Sequence, residues 1–215
     1  MVYRIHDTAS LTSTRRAAVV AQELGVPYEI VPVDVSSAEH KSEAYLKKNP
    51  FGRIPILYDD DFGVVESRAI GRYLAAKSGE KDAKLAPPPS DARAYARFEE
   101  AASLEYSDFD VVVSKLGFEL LVKKVKNLGE SDQVLVVKYY EELKVKMMAY
   151  DRILAERRYL AGDNLTLADL FHLPMGAAFE QYVGMDWASY GPNVGRWSKE
   201  ISSLESWKVV ASKKK

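Results

Sequence analysis

The run Ala86-Pro-Pro-Pro-Ser90 constrains this chain more than any other feature of it. Three consecutive prolines remove three backbone donors and fix three φ angles, so neither a helix nor a sheet ladder continues through them. The sequence changes character there. Before the prolines, short β-branched and aromatic runs alternate with helical patterns. After them no strand pattern occurs. A length of 215 residues accommodates two small domains. The reading is therefore a mixed domain over 1–80, a linker over 81–90 and an all-helical domain over 91–215, with Ser90 placed to cap the first helix after the break.

The first part runs β-α-β-α-β-β-α. Val2–His6 reads as a strand, Arg15–Leu24 as a helix with an N-cap among the hydroxyls of Ser10–Thr14, and Tyr28–Val33 as a second strand. A short polar helix over Ala38–Lys48 ends at the turn Asn49-Pro-Phe-Gly52. Ile54–Tyr58 and Phe62–Val65 form a hairpin, and Glu66–Ala76 carries Ala69, Ile70, Tyr73 and Leu74 on one helical face. The order gives a small sheet with helices packed on it. In the second part, Asp91–Asn127 and Asp132–Arg158 read as long helices. Thr166 and Asp169 stand three apart, the spacing of a capping box. Lys213-Lys-Lys215 reads as a solvated tail.

Charge and composition exclude several classes. Residues 1–80 hold 10 basic and 11 acidic side chains, and residues 81–215 hold 20 of each. Neither part has the positive excess that a phosphate backbone demands, so nucleic acid is not an expected partner. No stretch approaches the ~18 apolar residues of a membrane span. There is no cysteine, hence no disulfide, no thiolate metal site and no cysteine nucleophile; thiol chemistry would need a thiol brought by a ligand. The three histidines, at 6, 40 and 172, share no ligand spacing, so no metal is expected. The default compartment is the cytoplasm.

Five pieces in order resemble one family. Asn49-Pro-Phe-Gly-Arg-Ile-Pro55 followed by Glu66-Ser-Arg-Ala-Ile70 is similar to the glutathione-binding half of soluble glutathione transferases. Glu39-His-Lys41 is typical of the phi class of plants and fungi. Leu104-Glu105, Phe109-Asp110, Ser114-Lys-Leu116 and Phe118-Glu119 resemble that class's long first helix of the second domain. Tyr159-Leu-Ala-Gly-Asp163 and Leu165-Thr-Leu-Ala-Asp-Leu170 resemble its buried capping-box segment. The resemblance implies a thioredoxin-like N-terminal domain, an all-helical C-terminal domain and a homodimer, with glutathione as co-substrate and a hydrophobic small molecule as acceptor.

Glutathione carries two carboxylates, one ammonium and a central thiol. The resemblance puts the γ-glutamyl carboxylate on the N–H and hydroxyl of Ser67, at a helix start where unpaired N–H groups favour an anion, and its ammonium near Glu66. It gives Pro55 a cis peptide bond and pairs the backbone of Ile54 with the central cysteine. It puts the glycyl carboxylate near His40 and Lys41. Arg53 stands where the class more often has Gln and adds a charge at that end. Phe51, an aromatic in a turn, would plug into a partner subunit.

Thiol activation needs a donor to the sulfur near the first helix, because a hydrogen bond to the charged form lowers its pKa. The phi pattern uses a serine three residues before a Thr-Arg-Arg or Thr-Lys-Arg. Here counting back from Thr14 lands on Leu11, which cannot donate. Ser10 takes the role if the loop shifts by one; otherwise Ser13 or Thr12 reaches the sulfur, or the activating hydroxyl is gone. Leu11 would floor the acceptor pocket, lying between the domains and lined by Tyr106, Phe109 and Val113, unless that stripe is plain core. His172 and Trp187 have stronger core readings. The function expected is transfer of glutathione to a hydrophobic electrophile, in detoxification or fungal secondary metabolism. The alternatives are a glutathione-dependent double-bond isomerase or biosynthetic tailoring enzyme, and a non-catalytic carrier of hydrophobic ligands. A regulatory or translation-factor module on this fold is disfavoured, since no further domain or extension is seen.

Overall fold

The computed structural model describes residues 2–79 and 85–213. The chain divides into two compact units, one of Met1–Ala86 with Leu204–Lys215, the other of Pro87–Ser203. Of the expected linker, residues 81–84 lie outside the described residues.

In the first unit, strands β1 (Tyr3–His6), β2 (Tyr28–Val31), β3 (Ile56–Asp59) and β4 (Phe62–Val65) form one sheet in the order β2-β1-β3-β4. β1 and β2 are parallel, joined through helix α1 (Thr12–Glu23), while β3 runs antiparallel to both β1 and β4. The α1 face Ala17, Ala18, Val20 and Ala21 is buried together with Ile5, Leu57, Ile70 and Leu74. Small side chains let the helix lie close on the sheet and on helix α3 (Ser67–Ser78). β2 stops at Val31 because Pro32 has no N–H for the ladder. The expected helix over Ala38–Lys48 is instead a 3₁₀ turn, Glu39–Lys41, and one short helix, α2 (Glu43–Leu46). Ser42 interrupts them: its hydroxyl accepts the N–H of Tyr45 at 3.2 Å as an N-cap.

The expected second domain of 91–215 does not keep its last helix. α10 (Glu205–Ser212) packs on α1, and the Ser206 hydroxyl donates to the Glu23 carboxylate. Nor is Lys213 a free tail residue: its Nζ lies 3.0 Å from the Tyr28 hydroxyl and 4.5 Å over that ring.

The second unit is helical. α4 (Ala92–Leu104) is capped by Asp91, not Ser90; the Asp91 carboxylate accepts the N–H of Ala94 at 3.1 Å. The long helix over 92–126 is continuous but not uniform. Two π-helical stretches, Glu105–Asp110 and Phe118–Val122, bracket α5 (Val111–Gly117), and α6 (Lys123–Lys126) closes it. Asn127 then takes a left-handed φ of 52°. α7 (Gln133–Glu156), α8 (Leu167–Val183) and α9 (Pro192–Ser202) complete the bundle. No helix among the described residues is long and apolar enough to cross a membrane.

Candidate functional site

The sheet topology builds the site. His6 at the end of β1 pairs with Val31 at the end of β2 and with Ile56 at the start of β3, and Ile56 pairs with Val65 at the end of β4. One edge of the sheet therefore collects four segments: the turn Asp7–Leu11, the loop Pro32–Val35, the Ile54–Pro55 pair, and Glu66–Ser67 where α3 begins. The Ile54–Pro55 bond is cis. Sequence separations of up to sixty residues close into one locus because three strand ends and one strand start share that edge.

The turn and the loop face each other across a cleft of about 560 Å³, lined by Asp7, Thr8, Ser10 and Leu11 on one side and by Ile30, Pro32, Val33 and Val35 on the other. Leu11 holds the N-cap position of α1 and supplies no side-chain cap, so none of the hydroxyls expected to cap this helix does so. Thr12 and Ser13 are its first helical residues and do not line the cleft. Ser10 does, and its hydroxyl lies 3.3 Å from that of Thr8. Beneath the turn Asp7 is fully buried. It accepts the Thr8 N–H at 2.6 Å and the Thr14 hydroxyl. Burial pushes the Asp7 carboxyl up to about 6 against the pull of these two bonds.

At the other end of the locus Ser67 opens α3, buried, and its Oγ accepts from Nη1 of the buried Arg16 at 3.1 Å. Glu66 before it has a φ of 69°, a left-handed conformation unusual for a side-chain-bearing residue. Residues in such conformations cluster at ligand sites. Asp7, Thr8 and Arg16 were not singled out by the sequence reading. The available signal was an arginine on the apolar face of an Ala/Val helix, and an acid directly before a hydroxyl-rich turn.

The glycyl-end candidates are brought together around a loop. Gly52, at φ 56°, leaves only 2.8 Å between the position of an added Cβ and the His40 carbonyl oxygen, so only glycine fits. Lys41 Nζ donates to the Gly52 carbonyl at 2.7 Å and reaches the Phe51 carbonyl at 3.4 Å. His40 Nδ1 is buried with no partner. The Arg53 carbonyl is held by Asn49 Nδ2 at 2.7 Å and by the Tyr45 hydroxyl at 3.2 Å, while its guanidinium lies 5.8 Å over the Phe51 ring. Phe51 is 72% exposed. Glu39 works structurally, accepting the Asp34 N–H at 2.7 Å, and Asp34 in turn holds Ser36 and Ser37.

The acceptor stripe is not one face. Val113 is fully buried and Phe109 nearly so, its ring 4.6 Å from His172 and 5.7 Å from Trp187, whereas Tyr106 is 59% exposed. The π-helical turn over Glu105–Asp110 alters the register that the spacing assumed. Phe109 and Val113 are thus core residues of the helical unit. So is His172, whose Nδ1 donates to the Ala168 carbonyl at 2.7 Å and whose Nε2 accepts from Tyr150 at 3.2 Å.

Two family profiles match: "Glutathione S-transferase, N-terminal domain" over residues 3–76 and "Glutathione S-transferase, C-terminal domain" over residues 109–205. The chain belongs to the glutathione S-transferase family. Among similar proteins, this transferase is 41% identical over 207 residues to glutathione S-transferase hmp2 of Hypomyces subiculosus, covering 96% of each. Its fold superposes on glutathione transferase F2 of Populus trichocarpa with a TM-score of 0.89, at 34% identity over 97% of each chain. It superposes equally, with a TM-score of 0.89 at 30% identity over 98% of this chain and 96% of the other, on glutathione S-transferase I of maize in complex with an atrazine glutathione conjugate.

Glutathione is the co-substrate of such an enzyme, and two of the pieces that resembled the family have structural work in this transferase. Asp169, fully buried, accepts the Thr166 N–H at 2.9 Å and its hydroxyl at 3.0 Å, the Leu160 N–H at 3.1 Å and Trp197 Nε1 at 2.9 Å. Glu119 accepts from Lys123 at 2.6 Å and from the Asp132 N–H at 2.8 Å, tying the end of the long helix to the start of α7. No group of three or more potential metal-ligating side chains occurs among the described residues.

Proposed function

We propose that this transferase binds glutathione along the sheet edge and adds its thiolate to a hydrophobic electrophile. Ser67 and Glu66 take the γ-glutamyl end, the backbone of Ile54 beside Pro55 takes the central cysteine, and His40, Lys41 and Arg53 take the glycyl carboxylate. Arg16 already donates to the Ser67 hydroxyl, which leaves the serine proton for an incoming carboxylate. The unpartnered His40 nitrogen is a second group in want of a ligand. Ser10 donates to the sulfur. The observation that carries this role is its place on the cleft while Thr12 and Ser13 lie off it.

A free thiol with a pKa of ~8.5 is only a few per cent ionised at pH 7, and lowering it by ~2 units is worth ~2.7 kcal/mol. The sulfur lone pair then forms the new C–S bond, and the acceptor's leaving group departs with its electron pair or its carbanion takes a proton. The acceptor is a hydrophobic electrophile met in detoxification or secondary metabolism, and the apolar wall of Ile30, Pro32, Val33, Val35 and Leu11 suits it. The enzyme works in the cytoplasm, where reduced glutathione is supplied, as a homodimer with Phe51 seated in the partner.

The second reading rests on Leu11. An aliphatic side chain, 37% exposed, stands where the family pattern places the activating serine. Weaker activation suits reversible thiol addition, as in double-bond isomerisation, or the carriage of hydrophobic ligands. Ultraviolet titration of the thiolate of bound glutathione decides between the readings. Ionisation well below the free value, lost in Ser10→Ala, supports the conjugating transferase. Binding with an unshifted thiol supports the isomerase or carrier, and no binding at all overturns both.

A further inference from the structure

Ser10 has no scaffold of its own. It sits in a turn, outside any helix or strand, and a hydroxyl on a turn rotates freely unless something fixes it. One neighbour does so here. The Thr8 hydroxyl is 3.3 Å from that of Ser10, and both residues line the cleft beside Leu11. The Thr8 backbone is itself fixed, because its N–H donates to the buried Asp7 carboxyl at 2.6 Å. The second oxygen of that carboxyl accepts the hydroxyl of Thr14, which is buried in the first turn of α1. Asp7 therefore ties the turn to the helix, and Thr8 ties the hydroxyl of Ser10 to the turn.

We propose that Thr8 is a positioning residue for thiolate activation, its hydroxyl donating to the oxygen of Ser10 so that the Ser10 proton points at the glutathione sulfur. This rests on Ser10 being the donor to that sulfur. A serine hydroxyl has one proton and accepts through its oxygen. Once that proton goes to the thiolate, the oxygen can only accept, and Thr8 is the hydroxyl placed to give. Each donation polarises the next, so the Thr8–Ser10–thiolate chain stabilises negative charge on sulfur beyond what Ser10 achieves alone. The geometry also explains how a turn with leucine in the usual serine position still presents a donor: the hydroxyl one residue earlier is held by the hydroxyl three residues earlier.

The test uses the full-length protein and glutathione alone, following thiolate absorbance across pH. Thr8→Val keeps the shape of the side chain and removes its hydroxyl; Thr8→Ser keeps the hydroxyl. The expected result is a rise of about 0.5 to 1 unit in the apparent pKa of the bound thiol in Thr8→Val, the size of one hydrogen bond. Thr8→Ser should restore the parental value, with glutathione affinity little changed in either. Ser10→Ala is the control that separates the two ideas. If Ser10→Ala raises the thiol pKa and Thr8→Val does not, the role of Thr8 is overturned while that of Ser10 stands. If Ser10→Ala changes nothing, Ser10 is not the donor and both fall. If Thr8→Ser fails to rescue a shifted Thr8→Val, the effect is one of packing and the proposal is overturned.

Discussion

Arg16 and Ser67 stand 51 residues apart in the chain and meet through one hydrogen bond of 3.1 Å, both buried. The arginine comes from the α1 face that packs on α3, so a cation enters the domain core and reaches the first hydroxyl of the helix proposed to take the γ-glutamyl carboxylate. Removing it should act on stability and on binding together. Arg16→Met keeps much of the stem and loses the charge. It should cost roughly 1.5–3 kcal/mol of stability, the range for a hydrogen bond to a charged group. It should also weaken glutathione at least several-fold. Denaturant unfolding and calorimetric titration read the two effects; unchanged glutathione affinity would remove Arg16 from the site.

Asp7 should make stability depend on pH. Its folded-state value of about 6 lies above the ordinary 3.8, so the native fold prefers the protonated carboxyl. The advantage is complete below about pH 4 and is lost as pH rises from there through 6, amounting to roughly 3 kcal/mol at most. Asp7→Asn cannot ionise. Relative to the parent, its unfolding midpoint should therefore climb between pH 4 and 6 and level off above. A difference constant across that window would mean that the parental carboxyl titrates normally.

Phe51 is 72% exposed on its loop, and its side chain contributes little to the fold it hangs from. Phe51→Ser should leave the thermal midpoint of a monomer almost unmoved and shift the oligomer equilibrium strongly towards monomer. Sedimentation velocity over a micromolar concentration series measures this. A parent protein that is monomeric throughout would end the dimer proposal.

Phe109 and Tyr106 should part company. Phe109→Ala empties a packed position beside His172 and Trp187 and should cost about 3–5 kcal/mol. Tyr106→Ala, at an exposed site, should stay within about 0.5 kcal/mol. Equal costs by denaturant unfolding would contradict the inside–outside division that the π-helical turn creates.

Much of this protein was fixed by its linear order. The triple proline divided a mixed part from a helical one because proline cannot join a ladder or a helix interior. Asn49–Pro55 and Glu66–Ile70 marked the part that matches the glutathione S-transferase N-terminal domain, and Thr166 and Asp169 formed their capping box as the spacing required, since capping is a contact between near neighbours. Tertiary structure decided what depends on distant partners. Only sheet pairing brought Asp7, Pro55 and Ser67 to one edge. Only packing on α1 moved the last helix into the first unit. The hydroxyls of Thr12 and Ser13 looked like caps by composition, yet the cleft takes Ser10, because the direction of a turn is set by what anchors it. Here that anchor is a buried carboxyl, Asp7, whose environment no stretch of sequence displays.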